Sequence, residues 1–436
     1  MIKGFNSNLI NINIKKKDLF FFYFLCLYVT SLNIVKANLQ EFVSLILIAL
    51  ITFCISRYFK SLATILYVAL YVRLITIFLG NYLFILPEST GDAILFEQNA
   101  WLLAQDGFFG VFAKFPYHES SYYISWILAF IYSLTGKSTI IGQSLSLFFG
   151  MGSVLLGILI SNQIWSKKIS IRVGWIIALY PTLILYSSLI LREAYIWFFL
   201  LVAIYGIICW SKDRTIKSII ITLVGFGGAT FYHGGMIIGG LVFLGILLFT
   251  ILIETIQKFV YLKISIRSII VLILTLFVIN YTISNKNPIP KIGKLKTMFD
   301  PELAINEMSK RNIRNAAFPE WTVPKTTTEL IYKAPIRLIY FMFSPFIWDI
   351  KKPSHLIGHF DGLIYLIFFI LFFKNFKSIW GNQYLRAIII ILLVYFVLFG
   401  LATGNFGTGI RHRTKFLIAI ILIVAPWIPK IVFKKK

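Results

Sequence analysis

SLATILYVALYVRLITIFLG (Ser61–Gly80) contains one charged residue, Arg73, in an otherwise apolar run. A helix rises about 1.5 Å per residue, so about twenty such residues match the ~30 Å hydrocarbon core of a bilayer. The stretch therefore reads as a membrane-spanning helix. Runs like it recur along nearly the whole chain. Of the 436 residues, 58% are hydrophobic and 14% charged, and mean hydropathy is +0.84. Soluble domains carry about 25% charged residues. The composition thus excludes a string of soluble domains.

Crossings are predicted near 19–35, 42–57, 61–80, 139–161, 173–189, 193–210, 217–232, 235–253, 268–283, 357–373, 387–402 and 414–430. The expected fold is an all-α polytopic membrane protein: a single transmembrane domain over 1–436 with about twelve helices. Tyr122–Thr135 is short for a crossing, and Pro335–Trp348 begins with proline. These two segments are expected to lie along the interface or re-enter. The first apolar run, Leu19–Val35, follows Lys15, Lys16 and Lys17 with no convincing small-residue cleavage site, and reads as a retained signal anchor.

The net charge of +25 sits largely in short clusters at helix ends. Such clusters set topology and meet anionic lipid headgroups; they do not call for a nucleic-acid partner. Basic clusters mark the cytoplasmic side, so both termini are expected inside. The loop 81–121, with an amphipathic helix, and the loop 284–356 are then expected outside. Cys26, Cys54 and Cys209 lie in or at the ends of apolar runs and imply neither a disulfide framework nor a reactive thiolate.

The first outer loop carries STGDAILFEQNAWLLAQDGF (Ser89–Phe108), with three acids and no base. Ser89 and Asp92 have the spacing of a capping box. Ala93, Phe96, Ala100 and Leu103 share one helical face; Asp92, Asn99 and Asp106 share another. An interfacial amphipathic helix is predicted, with Asp92 in its first turn, where the helix dipole favours the ionised form. A carboxylate there can cap the helix, accept a hydroxyl proton or hold a divalent cation. Glu97 is an auxiliary acid of the same helix.

Other polar residues interrupt apolar sequence. Arg192 and Glu193 stand between two predicted crossings; they can pair with each other, or Arg192 can bind a phosphate through its guanidinium. TGNFGTGIRHRTKF (Thr403–Phe416) joins a glycine-rich turn to Arg411, His412, Arg413 and Lys415. Cations at an outer helix end run against the inside bias, and a glycine turn feeding a helix start suits a phosphate. His233, at an outer turn, is a hydrogen-bonding or auxiliary residue. His355 and His359 share a helical face near Asp361, yet the metal-binding pattern of a zinc site is incomplete.

GDAILFEQNAWLLAQDGFFG (Gly91–Gly110), followed by YYISWILAFIYSLTGKSTIIGQSLSLFFG (Tyr122–Gly150), resembles the start of the GT-C membrane glycosyltransferases. Those enzymes use polyprenyl-phosphate sugars and are related to protein mannosyltransferases and the aminoarabinose transferase of lipid A. The resemblance differs in having Ala93 where an acid usually follows the aspartate, and two helices rather than one before the motif. It implies a GT-C-like fold and a catalytic role for Asp92. Arg192, Arg411, Arg413 and Lys415 are the expected phosphate-binding groups; Glu97, Glu193, His233 and His412 are auxiliary. No metal ligand set is expected, although a divalent cation is compatible with the chemistry.

The expected function is glycosyl transfer from a polyprenyl-phosphate-linked sugar donor to a lipid-linked glycan or another hydroxyl acceptor, on the outer face of a bacterial inner membrane, in cell-envelope polysaccharide assembly. A repeat-unit polymerase of surface polysaccharide or O-antigen is the alternative. A lipid-linked glycan flippase is a third reading, for which Arg73 is the clear mid-span charge.

Overall fold

A computed structural model describes residues 16–34, 38–116, 122–259, 316–351 and 353–429, with isolated positions between 273 and 309. Helices make up nearly all of the described secondary structure. Seven are long and apolar enough to cross a membrane, or eight if one bent pair counts as a single span. The long apolar helices mark an integral membrane protein. Most of the predicted crossing at 268–283, the tail Lys434–Lys436 and most of 284–315 lie outside the described residues.

The chain divides into two compact units. The first comprises residues to Pro116 together with Ser121–Leu201; the second contains Val202–Lys436. In the first unit the helices are α1 (Lys16–Ile34), α2 (Leu39–Tyr58), α3 (Ala63–Tyr82), α4 (Asp92–Ala104), α5 (Gly107–Ala113), α6 (Tyr123–Thr135), α7 (Thr139–Ile164), α8 (Lys167–Leu179) and α9 (Pro181–Ser187), followed by the start of α10 (Glu193–Asp213). In its packing, α7 lies against α2, α3, α8 and α9, and α4 lies against α6.

The predicted crossing at 173–189 is broken. α8 and α9 meet at 60° across Tyr180. Pro181 opens α9 and has no N–H, so the carbonyl of Ile177 loses its helical donor. Arg73, buried in the middle of α3, supplies replacements. Its Nη2 donates to the Ile177 carbonyl at 3.4 Å and its Nη1 to the Ala178 carbonyl at 3.0 Å. Nη1 also reaches the Ala69 carbonyl at 2.9 Å, and Nε donates to Ser187 Oγ at 2.8 Å. A cation at a helix C-terminus also meets the negative end of the dipole. The mid-span charge is therefore a cap on a broken helix. α7 comes close at the same place, since a Cβ on Gly150 would lie 2.5 Å from Ser187 Cβ.

The second unit continues with α11 (Ile216–Tyr232), α12 (Ile237–Phe259), α13 (Thr327–Phe343), α14 (Pro353–Lys374), α15 (Phe376–Gly381), α16 (Gln383–Ala402) and α17 (Phe406–Val424). α13 packs against α14, α16 and α17, and α12 against α16. The end of α10 meets α11 through small residues: a Cβ on Gly225 would lie 2.3 Å from the backbone nitrogen of Ala203. Such close approach is how membrane helices gain packing without a hydrophobic driving force between them. Tyr395 bridges the α11–α12 turn from α16, donating to the Met236 carbonyl at 2.5 Å and accepting from Gly239 N–H at 2.9 Å.

Several starts follow the sequence's capping residues. Thr215, Thr326 and Asn405 each accept a backbone N–H three residues on. The capping box of Ser89 and Asp92 does not form. Ser89 Oγ donates to the Leu86 carbonyl at 2.7 Å, and Gly91, at φ 93°, precedes α4. That left-handed backbone turns the chain sharply enough that Ser89 lies in the preceding turn. The segment Tyr122–Thr135 forms α6 with Tyr122 as its N-cap. Pro335–Trp348 falls partly within α13, which carries Pro335 in its interior.

Replacing Arg73 with alanine strands buried carbonyls and Ser187. It is expected to lower stability by about 2–4 kcal/mol, with Arg73→Lys intermediate, as measured by reversible unfolding in bicelles.

Candidate functional site

Within the first unit, α4 begins at Asp92 and, one turn on, sets Phe96 against a guanidinium. Its buried positions are Ala93, Phe96, Glu97, Ala100 and Ala104, one continuous helical face. Asp92 opens the helix and is half-buried. One turn on, the Phe96 ring lies under Arg192, whose guanidinium carbon is 5.2 Å from the ring centroid. Phe96 is 2% exposed, so this cation–π contact is largely desolvated. Arg192 occupies the break between α9 and α10, five residues after the Ser187 hydroxyl that Arg73 holds. The geometry thus brings the elements of Asp92 and Arg192 together.

Glu193 opens α10 and is buried, a favourable place for a negative charge at a helix N-terminus. Glu97, predicted as an auxiliary acid, has a structural role. Its Oε1 accepts from Thr139 Oγ1 at 2.8 Å and from Tyr132 Oη at 3.3 Å. Tyr132 Oη also reaches the Ser138 carbonyl at 2.7 Å. This network ties α4 to α6 and to the start of α7. Asp106 pairs with Lys114 on the exposed surface at 2.8 Å.

Within the second unit, α17 supplies a basic cluster. His412 and His233 have ring centroids 5.4 Å apart, and each packs on Phe399. Lys415, buried, places Nζ 5.3 Å from the same Phe399 ring. His412 Nδ1 lies 3.3 Å from Thr403 Oγ1. Arg411 is half-buried one residue before His412. The glycine turn is held by an antiparallel bridge between Ala317 and Asn405, with Phe318 N–H on the Gly404 carbonyl and Phe406 N–H on the Ala316 carbonyl, each at 2.9 Å.

Arg413 departs from its predicted phosphate-binding role. Its Nε and Nη2 donate to Asp361 Oδ2 at 3.1 and 2.8 Å. Its Nη1 reaches the carbonyls of Met342 and Ser344 at 3.1 and 2.6 Å, and Nη2 the Gly358 carbonyl at 3.2 Å. A guanidinium has five N–H donors, and all five are used within the protein. Arg413 therefore caps the C-terminus of α13 and joins it to α14. The sequence signal was available, since Asp361 is an acid inside an apolar helix.

His355 Nδ1 accepts from Lys351 N–H at 3.2 Å, and His359 Nδ1 lies 2.9 Å from the Pro345 carbonyl. These two histidines thus face backbone groups. No cluster of three or more histidine, cysteine or acidic side chains suited to a metal forms among the described residues.

A further arginine escaped the sequence reading. Arg337 on α13 is buried, and its Nη2 donates to the carbonyls of Thr403 at 2.6 Å and Leu401 at 3.2 Å, at the end of α16. Comparison with protein-family models, with curated proteins and with solved structures finds no match to this chain.

Removing one member of the Asp361–Arg413 pair leaves a buried charge. Asp361→Asn and Arg413→Met are each expected to cost about 3–5 kcal/mol, and the double substitution less than their sum. A double-mutant cycle of thermal unfolding measures the coupling.

Proposed function

We propose that this chain is a membrane glycosyltransferase that takes its sugar from a polyprenyl-phosphate donor. The observation that supports the reading is the Asp92–Phe96–Arg192 arrangement in the first unit. A carboxylate at a helix N-terminus stays ionised and can act as a base. A guanidinium matches phosphate oxygens, and its position over an aromatic ring limits its freedom. The resemblance of Gly91–Gly150 to the GT-C enzymes points the same way.

In the proposed reaction the acceptor hydroxyl gives its proton to the Asp92 carboxylate. The acceptor oxygen bonds to the anomeric carbon as the bond from that carbon to the phosphate oxygen breaks. The electron pair leaves with the polyprenyl phosphate, and Arg192 offsets the charge that develops there. Ser187, held by Arg73, lies five residues before Arg192 on the same segment. The outer membrane face is the proposed setting, on the distribution of basic loops. Arg73 is engaged with helix-end carbonyls, so the flippase reading loses the charge on which it drew.

Purified protein in nanodiscs, given undecaprenyl-linked donors and analysed by product mass, tests the proposal. Asp92→Asn is expected to lower turnover by about 10²–10⁴-fold, and Arg192→Gln by about 10²–10³-fold, with unfolding midpoints unchanged. Near-normal turnover in Asp92→Asn would remove the base from the mechanism. A single added sugar fits this reading, whereas a ladder of repeats would favour the polymerase.

A further inference from the structure

We propose that Arg337 holds a phosphate group in the second unit, under the bridge between Ala316–Phe318 and Gly404–Phe406. The site stands independently of the transfer reaction above. Arg337 is 0% exposed. Its Nη2 is committed to the Thr403 and Leu401 carbonyls, but Nε and Nη1 have no hydrogen-bond partner among the described residues. Three N–H groups of a buried cation are therefore unused. Buried polar groups almost always find partners, and a buried guanidinium needs a compensating charge as well.

The two other buried arginines show how such a group is ordinarily satisfied here. Arg413 uses every donor and has Asp361 as its counter-charge. Arg73 makes four hydrogen bonds, three of them to backbone carbonyls. Arg337 makes two, and no carboxylate pairs with it among the described residues.

The surroundings favour an oxyanion. The Phe318 ring covers the guanidinium at 5.9 Å and is itself buried with Tyr340 and Phe406. Such cover keeps bulk water from the cation and strengthens its pull on an anion. Thr403, whose carbonyl Arg337 holds, lies three residues before α17, a helix of nineteen residues whose N-terminus offers further positive potential. The unused N–H groups of Nε and Nη1 lie on opposite edges of the planar group, so each can give an oxyanion a single charge-assisted hydrogen bond. A phosphate oxygen, being charged, accepts such a bond more strongly than a neutral carbonyl does. The group can belong to a phospholipid headgroup or to a free or lipid-linked phosphate.

The test follows the unfolding midpoint of the full chain in maltoside detergent, titrated with inorganic pyrophosphate and, separately, with dihexanoyl phosphatidylglycerol. Wild type is expected to show a saturable rise with at least one of them. Arg337→Met is expected to need at least ~10-fold more of that anion, and Arg337→Lys to fall between. A response to pyrophosphate assigns recognition to the phosphate group alone; a response confined to the lipid assigns it to a headgroup. Either supports the site. An unmoved wild-type midpoint with both anions overturns it, as does an unchanged half-saturation in Arg337→Met. Should Arg337→Met fail to fold, Arg337→Lys decides: weaker binding supports the proposal, and equal binding ends it.

Discussion

A helix that ends in the protein interior exposes carbonyls that water cannot reach, and each such carbonyl needs a donor in the protein. Here buried guanidinium groups meet that demand. Arg73 bonds the end of α8, Arg413 the end of α13 and Arg337 the end of α16. One planar cation serves several carbonyls at once and faces the negative end of the dipole. Without these donors the breaks in the helices would carry unsatisfied polar groups, each costing about 1–3 kcal/mol. Polar residues set within apolar sequence thus let these three helices stop.

The consequence for the candidate site follows directly in the first unit. The α8–α9 break turns the chain by 60°. Arg73 holds both sides of it, through the Ile177 and Ala178 carbonyls before and the Ser187 hydroxyl after. Arg192 follows within a few residues and lies over Phe96, one turn from Asp92. A charge in the middle of one helix thus holds the break that precedes another charge, Arg192, at the candidate site. Glu97 contributes from the other side by binding α4 to α6 and α7, so that Asp92 begins a helix with a fixed footing.

Much of the helical architecture was legible as apolar runs. Those centred on 42–57, 61–80, 139–161, 193–210, 235–253, 357–373 and 387–402 correspond to the seven long apolar helices. The caps at Thr326 and Asn405 are local, because a hydroxyl or amide at an N-cap acts on its own neighbours, but they emerge only in the structure. Arg192 and Asp92 could be nominated from their chemistry. Ser89 was misread, since the left-handed turn at Gly91 moved the helix start past the reach of its hydroxyl. Arg413 was misassigned because the partner that consumes it, Asp361, lies 52 residues away.

The sequence by itself determined that these residues form apolar helices, because burying backbone polar groups in a bilayer leaves few alternatives and apolar runs of about twenty residues record that constraint. It also determined which side chains are chemically able to bind phosphate or take a proton. Only the tertiary structure decided which of those side chains are occupied. Arg73, Arg337 and Arg413 carry the same group, yet their donors are filled to different degrees by carbonyls and carboxylates distant in sequence. Hydrogen bonding is short-ranged and directional, so a residue's availability depends on neighbours that folding alone brings within 3 Å or so.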